Sequence, residues 1–213
     1  MLLRIRVRLP DRPGSLASVA RTLGAAGADV VQMAVLERDG GRALDDFTVA
    51  WPAGAGTAGL RDGLTAIPGV AVAGIWPTVE PKGAHPDAAL LGQLAADPAR
   101  GTMTLADAVP ALLSADWAAL AADHVLIYGS LSAPANAPGY VYESALGEGW
   151  GGPSRARAFS GDGFHFAACP VSDGLDLLVA RGGDAPPFHR TEVFRLDQLV
   201  VAARAVLAAP VGR

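Results

Sequence analysis

The sequence predicts an α+β chain in two parts: an N-terminal sandwich of order β-α-β-β-α-β, then a second α/β part built on an antiparallel sheet. Three observations predict it. Leu3, Ile5, Val7 and Leu9 alternate without a fault against Arg4, Arg6 and Arg8, the period-two pattern of a strand with one buried face. Leu16, Val19, Ala20 and Leu23 follow at helical spacing, giving an apolar stripe. The stretch from Val79 to Pro86 is rich in Pro and Gly and breaks every periodicity, which marks a domain boundary. The expected organisation is therefore a domain over 1–78, a linker over 79–86 and a second domain over 87–213.

Each element of the first part has its own signal. Pro10 ends the opening strand, Pro13-Gly14 turns the chain, Ser15 is placed to cap the helix, and Gly27 is placed to stop it. Val30 to Leu36 reads as a second strand, and Asp39-Gly40-Gly41 as a hairpin turn. The third strand, Leu44 to Trp51, puts Phe47, Val49 and Trp51 on one face and Asp46 and Thr48 on the other. A helix carrying Leu60, Leu64 and Ile67 ends at Pro68-Gly69, and Val70 to Trp76 makes a fourth strand. This is the split βαβ or ferredoxin-like plan. Short right-handed connections put the first and third strands in the middle of the sheet with both helices on one face. Arg4, Arg6 and Arg8 then line the helix-free face, where Asp46 and Asp45 offset them as solvated, weak cross-strand ion pairs; a docking face for the second domain or a partner is the alternative.

The joint Asp11-Arg12-Pro13-Gly14-Ser15-Leu16, between a strand and a helix, leaves backbone N–H groups open to an anion. Together with the β-α-β-β-α-β order and Gly27-Ala28-Asp29-Val30 before the second strand, it resembles an ACT domain over residues 2–78. That resemblance implies side-by-side homodimers that bind an amino acid at their interface. The ligand carboxylate would meet N–H groups around Asp11, Arg12, Pro13, Gly14, Ser15 and Leu16. Asp29 stands where the family often has an Asn for the ammonium. Asp accepts more strongly as a charge but repels a second carboxylate, so the site either favours a cationic or neutral head or is vestigial. Asp29 also fits a plain strand-entry residue, and Arg12 a plain exposed turn arginine.

In the second part, residues 87–96 predict a helix through Leu90, Leu91 and Leu94. Residues 104–121 predict one or two more, started by Thr104 and carrying Leu105, Val109, Leu112 and Leu113 around Pro110. His124 to Tyr128 reads as a strand, and Gly129 to Gly163 as irregular chain holding a short strand over Tyr140–Ala145. Phe164–Pro170 and Leu175–Ala180 read as a strand pair across Ser172-Asp173-Gly174. Val193, Leu196, Leu199, Val200, Ala203 and Leu207 mark a final helix. The stretch from Ala168-Cys169-Pro170-Val171 through Gly174-Leu175-Asp176-Leu177-Leu178 and Pro187-Phe188 to Leu199-Val200 is similar to the closing pattern of a GAF domain, over residues 88–209. That likeness implies a small-molecule pocket over the sheet, under loops at 129–163, and names no ligand.

Composition narrows the function. Hydrophobic residues at 51 % and charged ones at 18 % describe a globular chain. A net charge of −4 argues against nucleic acid or an anionic membrane as main partner. No apolar run reaches membrane-spanning length and the N-terminus lacks a signal-peptide core, so a cytoplasmic protein is expected. Cys169 is the sole cysteine, which excludes an internal disulfide and a multi-cysteine metal site. Its flanks, Ala167, Ala168 and Pro170, read as buried core rather than a reactive thiol. His165, four residues away on one strand, would lie about 13 Å off at about 3.3 Å per residue, too far for a Cys–His pair. His85, His124 and His189 have no metal-ligand partner at useful spacing. Gly149-Trp150-Gly151-Gly152 lacks the Lys-Ser/Thr of a phosphate loop. The expectation is a non-catalytic sensor without cofactor or metal that binds an amino acid and dimerises through its first domain. The alternative is a dimeric scaffold with a vestigial site.

Overall fold

The computed structural model describes residues 1–79, 85–122, 125–134 and 155–209. The chain divides into two compact units, Met1–Val79 with Asp184–Pro186, and Glu80–Gly183 with Pro187–Arg213. The expected linker falls largely at 80–84, outside the described residues, as do His124, the strand expected over 140–145 and the glycine run at 149–152.

The first unit runs β1 (Leu2–Pro10), α1 (Ser15–Ala25), β2 (Asp29–Asp39), β3 (Arg42–Ala50), α2 (Ala58–Thr65) and β4 (Ala71–Thr78). Its antiparallel sheet has the order β2-β3-β1-β4, with β1 and β3 central as the connectivity requires. Leu3, Ile5, Val7 and Leu9 pack with Phe47 and Val49 against Val19, Leu23, Leu60 and Leu64 of the two helices. The alternation of β1 is thus the core itself, and burial of these side chains supplies the main driving force.

The opposite face departs from the expected solvated ladder. Arg6 and Asp46 are each only 2 % exposed. Arg6 donates twice to one carboxylate, Nε to Oδ1 at 2.7 Å and Nη2 to Oδ2 at 2.8 Å, and Arg4 Nε reaches Oδ2 at 3.0 Å. The Arg6 guanidinium also lies over the Trp76 ring, 5.5 Å from its centroid. In the same unit Pro186 seats against Gly74, where a Cβ would come 2.5 Å from its Cδ. Asp45 lies on the other face, with the core: its register partners are Val7 and Val35. A period of two sends adjacent aspartates to opposite sides.

The second unit runs α3 (Pro86–Ala96), a 3₁₀ turn at Pro98–Arg100, α4 (Gly101–Leu113), β5 (Trp117–Ala122), β6 (Val125–Gly129), β7 (Arg157–Gly161), β8 (Phe164–Ser172), β9 (Leu175–Gly182) and α5 (Arg190–Leu207). The antiparallel sheet has the order β6-β5-β9-β8-β7. Leu94, Leu105, Leu196 and Val200 of the helices pack on Leu120, Cys169, Leu177 and Val179 of one face. The other face carries Trp117, Phe166, Leu178 and four alanines.

Three expectations change. Residues 117–121 are a central strand, not helix: Trp-Ala-Ala-Leu-Ala has helical propensity, but a strand buried on both faces loses its alternation and tertiary pairing decides. Thr104 does not open α4, which starts at Gly101. β7 lies within the stretch expected to be irregular, paired to β8 across the Asp162-Gly163 turn.

Candidate functional site

Leu9 and Pro10 complete β1, and the chain must reverse before α1. Gly14 takes φ 89° at the N-cap of α1, left-handed backbone that is costly for any residue with a Cβ. Ser15 was the expected cap, but it is the first helical residue and no side chain caps the helix. Ser18 turns back instead, its N–H donating to the Gly14 carbonyl at 3.2 Å and its Oγ at 3.3 Å. Among the described residues the N–H groups of Gly14, Leu16 and Ala17 have no acceptor, so the positive end of the helix stays open.

This end opens onto a cavity of about 390 Å³ lined by two Pro–Gly turns. Arg12, Pro13, Gly14, Ser15 and Ser18 form one wall, and Ile67, Pro68 and Val70 the other, with Pro10 between them. Gly69, at φ 79°, brings the second turn against Pro10, where a Cβ would approach its Cγ to 2.9 Å. Arg42 Nη2 pins that turn by donating to the Gly69 carbonyl at 2.7 Å. The Arg12 guanidinium makes no ion pair among the described residues. One wall thus offers N–H groups, hydroxyls and a cation, and the other apolar surface: a corner suited to an anionic group on an apolar body.

Of the residues marked from sequence, Arg12, Pro13, Gly14 and Ser15 meet at the cavity. Asp11, Leu16 and Asp29 lie outside its lining. Asp11 accepts two bonds from Arg38, at 2.8 and 2.9 Å, and this partner holds its carboxyl below the usual carboxylate range. Asp29 is exposed at the first position of β2, opposite Ala50. The Pro68-Gly69 wall was missed, although a second Pro–Gly dipeptide before a strand was its visible signal.

Residues 3–50 match the family model of the ACT domain. The ACT segment covers β1, α1, β2 and β3, and so contains the turn, the helix start and Asp29. No curated protein matches the chain significantly. Among solved structures, a formyltetrahydrofolate deformylase from Pseudomonas putida KT2440 is 21 % identical with a TM-score of 0.33, over 46 % of this chain and 39 % of that one. An unknown protein from Galdieria sulphuraria is 15 % identical with a TM-score of 0.32, over 97 % of this chain and 90 % of that one. The chain therefore spans well under half of the deformylase. No helix among the described residues is long and apolar enough to cross a membrane.

The nucleophile candidates lie outside the ACT segment. Cys169 is 1 % exposed on β8. Burial, with the Asp197 carboxylate beside it, pushes its thiol up to about 12. His165 pairs with Ser160 across the β7–β8 hairpin, Nδ1 to Oγ at 2.7 Å. We expect iodoacetamide at about pH 8 to leave Cys169 unmodified in the native protein and to alkylate it fully in denaturant; native alkylation at the rate of a free thiol would contradict this burial.

Proposed function

We propose that the chain is a non-catalytic, cytoplasmic regulatory protein whose ACT segment binds an amino acid at the Pro13-Gly14 corner. The observation that carries this reading is the cavity of about 390 Å³ at the start of α1, lined by Gly14, whose N–H has no acceptor among the described residues, and by the hydroxyl-bearing Ser15. A ligand carboxylate accepts from these groups beside Arg12, and the side chain rests on Ile67, Pro68 and Val70. The unit dimerises along β2. This edge strand pairs only with β3, and Val30, Val31, Met33 and Val35 on it are 39–48 % exposed. An open strand edge of this length with apolar side chains is a template for a second copy. Ligand binding then shifts the population of arrangements in which the second units are held.

A thermal-melt screen against the twenty amino acids tests the reading. A ligand at about a hundred times its dissociation constant stabilises by about 2.7 kcal/mol. We expect one amino acid to raise the melting temperature, and Arg12→Ala or Gly14→Val to abolish that rise. A rise untouched by both substitutions would move the site elsewhere. A protein that dimerises yet answers to no amino acid would favour the scaffold reading, which the position of Asp29 outside the cavity supports.

A further inference from the structure

Asp45 occupies a position where the sheet otherwise places apolar side chains. It stands opposite Val7 on β1 and Val35 on β2, on the face that carries Phe47 and Val49 into the core. It is 4 % exposed, and its Oδ1 is buried without a hydrogen-bond partner. An ionised carboxylate in such a place is expensive. Burial raises its pKa, Asp11 and Asp46 raise it further, and Arg38 opposes them.

The charged groups that bear on it are Arg38, Asp11 and Asp46. From β2 comes Arg38, in register with Ala43 on the same face. From the β1–α1 turn comes Asp11, which holds the Arg38 guanidinium by two bonds. Asp46, on the same strand but the opposite face, is matched by Arg4 and Arg6. β1 presents Val7, and Arg21 of α1 is bonded to Ser18. One exposed guanidinium, bonded to a solvated carboxylate, thus stands diagonally across the strand pair from a buried one two residues beyond its register partner.

We propose that Arg38 is a switch between Asp11 and Asp45. With Asp45 protonated, Arg38 clamps Asp11 and fixes the β1–α1 turn, the arrangement of the structure. With Asp45 ionised, Arg38 turns to it and releases Asp11. Losing an exposed pair costs little, whereas leaving a buried charge unpaired costs much more, so ionisation decides the exchange. The clamp therefore holds below the raised pKa of Asp45 and opens as pH rises through it. That the opening also loosens ligand binding rests on the proposed site at Pro13-Gly14; the switch itself does not.

The test is amide hydrogen exchange of the segment Pro10–Ser18 from about pH 4 to about pH 8, corrected for intrinsic rates, beside carboxyl ¹³C titration of Asp45. In the native sequence protection should fall several-fold as pH passes through the Asp45 titration. Asp45→Asn should stay protected throughout, and Arg38→Gln should be unprotected throughout. Asp11→Asn, at an exposed position, provides a check that does not depend on the folding of Asp45→Asn: its turn should be unprotected at every pH. A flat native profile, a transition apart from the Asp45 titration, the same transition in Asp45→Asn, or a protected turn in Asp11→Asn at low pH would overturn the switch. None of these readouts requires the ligand, so they fail or succeed separately from the binding reading.

Discussion

Arg181→Ala should destabilise the second unit by about 3–5 kcal/mol, read as an earlier urea midpoint in far-UV circular dichroism. Arg181 is fully buried at the end of β9. Its Nε donates to the Ser114 carbonyl at 3.1 Å and its Nη2 to the Leu113 carbonyl and to Glu192 Oε1, the last at 2.7 Å. The guanidinium lies over Phe188, 4.1 Å from the ring centroid. Removing it takes one charged donor from the last carbonyls of α4 and from a buried carboxylate, and opens a cavity besides. Glu192 has a second duty, because its Oε2 accepts from the His189 N–H at 2.8 Å in the capping box of α5. Arg181→Met keeps most of the volume but strands Glu192, so it should cost nearly as much. Arg181→Met with Glu192→Leu should recover a large part of the loss, because a buried pair replaced by apolar groups is often near neutral. A double variant that loses the sum of the single losses would refute the pairing as the cause.

Asp46→Ala should destabilise the first unit by a similar amount, about 3–5 kcal/mol. The substitution leaves Arg6, its side chain 3 % exposed, without its bidentate partner, and removes the bond to Arg4, whose side chain is 16 % exposed. The two arginines therefore separate the buried from the wetter contribution. Arg6→Ala should approach the cost of Asp46→Ala, whereas Arg4→Ala should stay near or below about 1 kcal/mol. Equal losses at the two arginines would mean that burial is not what gives the Arg6 pair its weight.

The legible parts of the chain were those where local chemistry and tertiary packing agree. β1 reads directly because Leu3 to Leu9 alternate over a half-buried face, and α1 because its stripe and both glycines agree. β5 does not, since burial on both faces erases the alternation and alanine speaks for helix. The faces of Asp45 and Asp46 were written in the parity of Phe47 and Val49, but two adjacent acids look like one polar patch. Arg181 follows the expected strand Leu175–Ala180 and carries no local sign of burial; the distant Leu113 and Ser114 carbonyls, with Glu192 and Phe188, make it core. Half of the candidate cavity was legible for the same reason that half was not. Pro13-Gly14 announces itself locally, while Ile67, Pro68 and Val70 arrive only through the pairing of β4 with β1.

The Arg181 cluster also constrains the order in which the chain can be made and closed. Its acceptors come from the end of α4 and from the first turn of α5. A nascent chain that has passed Arg181 but not yet delivered Glu192 carries a cation that cannot leave water without its counter-charge. Closure of the second unit therefore waits for its last helix, and contacts of such sequence separation slow folding. On the ribosome, the strands and both helices from Leu2 to Thr78 are made well before that point, so the first unit can take shape first while the second stays open until α5 has emerged.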